Sequence, residues 1–195
     1  MGTGWGASFH MSVKDTATAI IKSINDGDTL TTVRIGADSF HADTVKIASV
    51  LLSKKLGGIY ITTSRPSSHI VEELEETKVD LSDLYFVDLV SMTVGGKTDD
   101  PRTLYVESPT MLESILLNIS LLERRLKAKK RFVMFDSVNG LSIYSEARVL
   151  KEFINVLGNS MRIKEIYSML MTVKEQTGEE LASALQLLSD KVIGE

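Results

Sequence analysis

Residues 29–55, TLTTVRIGADSFHADTVKIASVLLSKK, decide how the rest of the chain is read. Residues 29–35 alternate threonine with apolar residues, a pattern that favours a β-strand. A short loop opens with Gly36, and beyond it Val45, Ala48, Leu51, Leu52 and Leu56 form the buried stripe of an amphipathic helix. Strand, glycine turn and helix N-terminus are together the layout with which a chain offers backbone N–H groups to a phosphate. The residues that such a loop uses are missing. Against G-x-x-x-x-G-K-[ST], the chain presents Gly36, Ala37, Asp38, Ser39, Phe40, His41, Ala42 and Asp43. Only the first glycine matches. His41 stands for the second glycine, Ala42 for the lysine and Asp43 for the hydroxyl residue, and Thr44 supplies a hydroxyl one position late.

The bulk properties leave room for this fold and remove several others. At 195 residues the chain suits one domain that buries a core without covalent staples. Its 43% hydrophobic and 25% charged residues are those of an ordinary globular protein. There is no cysteine, which excludes disulfides, thiolate zinc sites and cysteine nucleophiles and suits a reducing cytoplasm. The net charge of −4 gives no general attraction to nucleic acid or anionic membrane. No apolar run reaches the roughly 18–20 residues that span a bilayer. Residues 1–11 read as an N-terminal tail, with no apolar segment of a signal peptide, and residues 12–195 as the single domain.

Working outward, Ser12 and Asp15 fit a capping box for a helix whose face is Ala17, Ile20, Ile21 and Ile24. Gly57 and Gly58 stop the second helix, and residues 59–63 form a buried strand. A helix follows with Ile70, Val71 and Leu74 on one side and Glu72, Glu73, Glu75 and Glu76 on the other. Residues 84–90 are a third strand, 91–103 a loop and 104–106 a brief extension. A long helix is expected from Pro109 and Thr110 to about Lys130, with Thr110 and Glu113 as its capping box. Residues 131–137, RFVMFDS, are a strand ending in an acid. Then come a helix over 145–157, a strand over 166–173, a helix over 177–188 capped by Thr177 and Glu180, and a closing strand at 191–193. Helices alternating with short apolar strands imply an α/β fold with a mainly parallel central sheet flanked by helices.

This order resembles the RecA-like domains of the KaiC family, in their single-domain archaeal form, over residues 28–193. The likeness is carried by the strand-loop-helix of residues 29–55, by FVMFDSVNGL with the downstream YSEARVLKEFINVL, and by the closing LQLLSDKVIG. The resemblance implies a three-layer, P-loop NTPase-type fold and assigns roles by position. Gly36, Asp38, Ser39, His41, Asp43 and Thr44 form the loop that would face a nucleotide, and Asp136 and Ser137 stand at the Walker B position, where Asp136 could hold magnesium. Phosphoryl transfer needs a cationic phosphate clamp, a metal site and a group that positions water. The clamp lysine is Ala42, while Asp38 and Asp43 place negative charge where a triphosphate would sit. The family's acidic pair after the second strand reads Ser64-Arg65-Pro66.

Other features carry less. Gly95-Gly96-Lys97-Thr98 copies the end of a phosphate loop, but Ser91 stands where the first glycine belongs and Asp99-Asp100-Pro101 reads as a turn. His10, His41 and His69 show no metal-ligand pair spacing, although His41 beside Asp38 and Asp43 is one cation arrangement to test. Arg124, Arg125, Lys127, Lys129, Lys130 and Arg131 form a basic run whose plain reading is a solvated helix C-terminus. Met161, Met169 and Met171 read as packing, and Ser137 lacks the frame of a hydrolase nucleophile. The expectation is a non-catalytic pseudo-ATPase with no cofactor, acting as a regulatory or scaffold protein in a homo-oligomer or with a related RecA-like partner. The alternatives are a divergent ATP/Mg2+-dependent ATPase completed by a neighbour's cation, and a recombination-mediator-like DNA binder using the basic run.

Overall fold

The computed structural model describes residues 11–194; of the tail assigned to residues 1–11, all but Met11, and His10 with it, lies outside the described residues. Seven strands form one sheet in the order β4-β3-β2-β5-β6-β1-β7, and every pairing is parallel. They are β1 (Leu30–Ile35), β2 (Gly57–Thr62), β3 (Leu84–Asp88), β4 (Thr103–Tyr105), β5 (Arg131–Asp136), β6 (Tyr167–Val173) and β7 (Lys191–Ile193). The helices are α1 (Val13–Asp26), α2 (Phe40–Ser53), α3 (Ser67–Glu76), α4 (Ser91–Val94), α5 (Leu112–Leu122), α6 (Val138–Ser142), α7 (Ala147–Ile163) and α8 (Glu179–Leu188). Parallel strands need crossovers, and the helices that make them cover both faces of the sheet.

The two-residue period of each strand sorts its side chains between two cores. On one face Tyr60, Phe86, Phe132, Met134, Met169 and Met171 pack with Ile20 of α1, Ile47 and Leu51 of α2 and Ile70 and Leu74 of α3. On the other, Ile59, Ile61, Val133, Phe135 and Leu170 meet Ile115 and Ile119 of α5, Leu150, Phe153 and Met161 of α7 and Leu185 of α8. The three methionines at 161, 169 and 171 are buried packing residues. The result is a three-layer α/β domain with a wholly parallel sheet.

Several boundaries differ from the sequence reading, each for a local reason. Ser12 does cap α1, accepting from Asp15 N at 3.2 Å. Gly57 and Gly58 open β2 instead of ending α2, which stops at Ser53. A Cβ on Gly57 would meet Asp83, and one on Gly58 would meet the Phe132 ring, so the strand start tolerates no side chain there. The helix expected up to Lys130 ends at Leu122, followed by one 3-10 turn at Glu123–Arg125. Asp83 interrupts it by accepting from Lys127 N at 2.9 Å and Ala128 N at 2.9 Å. Neither Thr110 nor Thr177 caps a helix: Met111 and Gly178 hold those positions, and Thr177 Oγ1 donates to Val173 O at 2.7 Å. Residues 91–94, read as loop, form α4, and α6 precedes an α7 that runs six residues past the expected end at 157.

Candidate functional site

A parallel sheet brings all its strand C-termini to one edge, where ligands of open α/β folds bind. The loops after β1, β2, β3, β5 and β6 enclose a cleft of about 540 Å³ there. Its walls include Ala37, Phe40 and His41 beyond β1, Thr63 and Ser64 beyond β2, Thr93 and Val94 of α4, and Asn139, Gly140 and Ile143 beyond β5. No Lys, Arg, Asp or Glu is among the described residues that line it. A second cleft of about 320 Å³ lies across the loop at Gly36 and is lined by Met11, Val13, Arg34, Asp38, Asp43, Lys174 and Glu175.

The loop after β1 is tighter than the spacing of its letters suggests. The helix begins at Phe40, only four residues past Gly36. Ser39 N donates to Gly36 O at 3.3 Å and Phe40 N to Ala37 O at 3.5 Å, so these N–H groups turn inward on the loop. The Ala37 N–H points to a carboxylate of the protein itself, Glu175 Oε2, at 2.8 Å. Thr44, proposed as a late hydroxyl, is buried and donates to the carbonyl oxygen of His41 at 2.9 Å. Asp38 and Asp43 face the second cleft and His41 the first, so the loop's candidates divide between two sites. Among the described residues, no group of three or more His, Cys, Asp or Glu is placed to hold a metal ion.

Asp136 ends β5 beneath the larger cleft, fully buried. The Tyr60 hydroxyl donates to its Oδ2, and Oδ1 has no hydrogen-bond partner. Burial pushes the Asp136 carboxyl above the usual carboxylate range, while the Tyr60 bond and the neighbouring His41 and Arg65 pull the other way. Burial also holds the Tyr60 hydroxyl protonated, which keeps it a donor. Arg65 pairs through Nη1 with Glu73 Oε1 at 2.6 Å. The Glu73 carboxylate contributes to the rise at Asp136. The next residue, Ser137, follows a cis peptide bond. Its Oγ caps α6 by accepting from Gly140 N at 3.3 Å, and its N–H donates to Thr63 Oγ1 at 2.9 Å.

Two anchors of this edge went unread in the sequence. Asp88, at the end of β3, accepts from Ser67 N, Val90 N, Ser91 N and Ser91 Oγ, all within 2.8 Å. Asn139 accepts from Val173 N at 2.9 Å and donates to Thr177 Oγ1 at 3.1 Å, which ties α6 to the loop after β6. The signal for Asp88 was present as an acid closing an apolar strand, the same signal that singled out Asp136. The basic run lies at the opposite edge, ahead of β5, and its side chains diverge. Arg125 reaches Pro101 O, Lys130 reaches Asn25 Oδ1 and Arg131 reaches Lys164 O, at 3.1, 2.9 and 2.9 Å. Only Arg125 of these is in the 3-10 turn, so the run is not the helix C-terminus expected of it.

Two solved structures from Pyrococcus horikoshii are similar to this chain in fold. One is the uncharacterized protein PH0321 in complex with an unknown peptide, with a TM-score of 0.59 and 14% identity, the match covering 84% of this chain and 76% of that one. The other is the KaiC-like protein PH0186, with a TM-score of 0.55 and 14% identity over 85% of this chain and 69% of that one. The fold is RecA/KaiC-like. No family model and no curated protein sequence matches the chain. The turn at Gly36 joins β1 to α2, and Asp136 closes β5 beside the larger cleft. No helix of the described residues is long and apolar enough to cross a membrane.

Proposed function

We propose that this protein is a non-catalytic member of the KaiC-like fold that works by binding polypeptide, as a regulatory or scaffold subunit. The observation that carries this reading is the cleft itself: about 540 Å³ at the ligand edge of the sheet, lined without a single acidic, Lys or Arg side chain among the described residues. A nucleoside triphosphate brings several negative charges, and binding it calls for a cation, a metal or free backbone N–H groups. Here Ala42 holds the lysine position, and the Ala37 N–H is engaged by Glu175. Asp136, the candidate magnesium ligand, is buried and bonded to Tyr60. These residues do not fit a magnesium nucleotide, so the reading assigns the protein no cofactor.

A cleft of apolar and hydroxyl-bearing side chains fits a neutral polypeptide segment better. The peptide carried by PH0321, a structure of the same fold, is in keeping with this reading. The partners proposed are a second copy of this chain or a related RecA-like protein, because a domain that lost nucleotide chemistry can keep its assembling surfaces. DNA is disfavoured by the scattered basic side chains and the net charge of −4.

The test is a mass measurement in solution with and without Mg2+-ATP, run alongside a phosphate-release assay. An assembly formed without nucleotide, together with no turnover, is expected. Turnover that disappears in Asp136→Ala would contradict the proposal and restore the divergent-ATPase alternative.

A further inference from the structure

The two helical layers differ in what they show to solvent. A helix seated on a sheet ordinarily turns polar residues outward, and α1, α2 and α3 do so, exposing no large apolar side chain among the described residues. The opposite layer exposes six: Leu117 and Leu121 on α5, Val149, Val156 and Ile163 on α7, and Leu187 on α8. Ile163 is 85% exposed, Leu117 60% and Val156 53%, although the inward faces of the same helices fill the core beneath them. Between Glu113 and Glu123, α5 carries no charged side chain at all. Apolar side chains gathered on one face in this way mark an interaction surface.

The spacing on α7 indicates what covers it. Val149, Val156 and Ile163 recur every seven residues, so they stand in one line with about 10.5 Å between neighbours. The line lies on the α5 side of α7. Its other flank, with Asn155, Asn159 and Arg162, borders Leu188 at the end of α8. Lys164 reaches α5, donating to Ser120 Oγ at 3.3 Å and pairing with Glu123 Oε1 at 2.8 Å. A line of three with a central member is complementary to itself. In an antiparallel copy of α7 with Val156 on the twofold axis, Val149 meets Ile163 of the second copy at both ends.

Charge favours the same orientation. The layer begins acidic, with Glu113 in the first turn of α5 and Glu179 and Glu180 in that of α8, while Arg124 and Arg125 follow the end of α5. On α7 the charges balance locally: Glu146 and Glu152 offset Arg148 and Lys151, and Arg162 pairs with Asp190 at 2.9 Å. Antiparallel packing lays acidic starts on basic ends, whereas parallel packing lays like on like. The extent is adequate as well. The 17 residues of α7 run about 25 Å. With α5 and α8 beside it at helix-packing distance, the face covers about 600–700 Å², close to the ~800 Å² that each partner of a stable complex buries.

We propose that the α5–α7 face is a twofold interface between two copies of this chain, with the α7 helices antiparallel and Val156 on the axis. The proposal rests on the reading that the protein assembles with a second copy, and it gives that copy a surface sharing no residue with the lining of the neutral cleft.

The experiment takes the full-length protein through size-exclusion chromatography with light scattering over a dilution series. Twice the chain mass is expected at high concentration, falling to a single chain in Val156→Lys/Ile163→Lys. Both positions are exposed, and circular dichroism and Tm check that the fold is kept. Single cysteines then read the register, since the chain has none of its own. Val156→Cys should be joined to its copy by a short bis-maleimide. Val149→Cys, about 21 Å from its own copy, should not be joined alone but should be joined to Ile163→Cys when the two variants are mixed. A single-chain mass at every concentration would overturn the proposal and the second-copy partner with it. A double mass that survives the two lysines, or equal joining of Val149→Cys and Val156→Cys, would overturn this interface alone and leave assembly to another surface.

Discussion

Two buried acids at strand ends show how much a single carboxylate depends on its partners. Asp88 loses hydration on burial, yet the backbone and hydroxyl donors of Ser67 and Ser91 outweigh that cost and hold its carboxyl below the usual range. A depressed folded pKa gives stability that is present above the unfolded value of about 3.9 and is lost as pH falls through the folded one. Asp136 has the opposite sign. Burial raises its folded pKa, so its contribution is full below about pH 3.9 and is lost as pH rises through the folded value. Relative to Asp136→Asn, which keeps an acceptor for Tyr60 without the charge, the unaltered protein should therefore lose stability as pH rises from 3 to 8 in urea titrations. A difference independent of pH would contradict the assignment. Tyr60→Phe keeps the ring packed against Phe86 and removes the donor to Asp136, a loss expected to cost about 1–3 kcal/mol at neutral pH by chemical denaturation. Asp88→Ala, which leaves four donors without their acceptor, should cost at least as much, about 2–4 kcal/mol.

At the scale of elements, the central strands β2, β5 and β6 were legible because they are buried on both faces and read as short apolar runs flanked by helical patterns. What escaped the sequence depended on contacts between distant residues. The end of α5 is decided by Asp83, whose carboxylate takes the N–H groups of Lys127 and Ala128 across more than forty residues. The five-residue α6 is too short to show a helical period, and it is placed by Asn139 bonding to Val173 and Thr177. The closure of the Gly36 turn by Glu175 spans 138 residues, so no local motif could carry it. The candidate loop was thus legible as a strand-to-helix turn, while its division between two clefts was not. Gly140 tests how α6 is seated. A Cβ there would strike the Thr63 side chain and come within 3.0 Å of its carbonyl oxygen, so Gly140→Ala should lower stability by about 1–3 kcal/mol in thermal or chemical unfolding. An unchanged Tm would mean that α6 shifts freely and that the cleft wall is not fixed.

For the whole molecule, the proposed function separates the fold from nucleotide chemistry. The seven-stranded parallel sheet and its two helical layers reproduce the RecA/KaiC-like arrangement at 14% identity to the solved structures. The ligand edge of that sheet, however, carries a neutral cleft, and a carboxylate faces the loop N–H that an anion would need. Fold alone does not transmit function, and the residues at the site decide it. The proposed function therefore predicts a well-formed domain without nucleotide affinity. Isothermal titration calorimetry of the full-length protein with Mg2+-ATP tests this most directly. The account predicts no heat of binding up to millimolar nucleotide, whereas saturable micromolar binding that is lost in Asp136→Ala would contradict it.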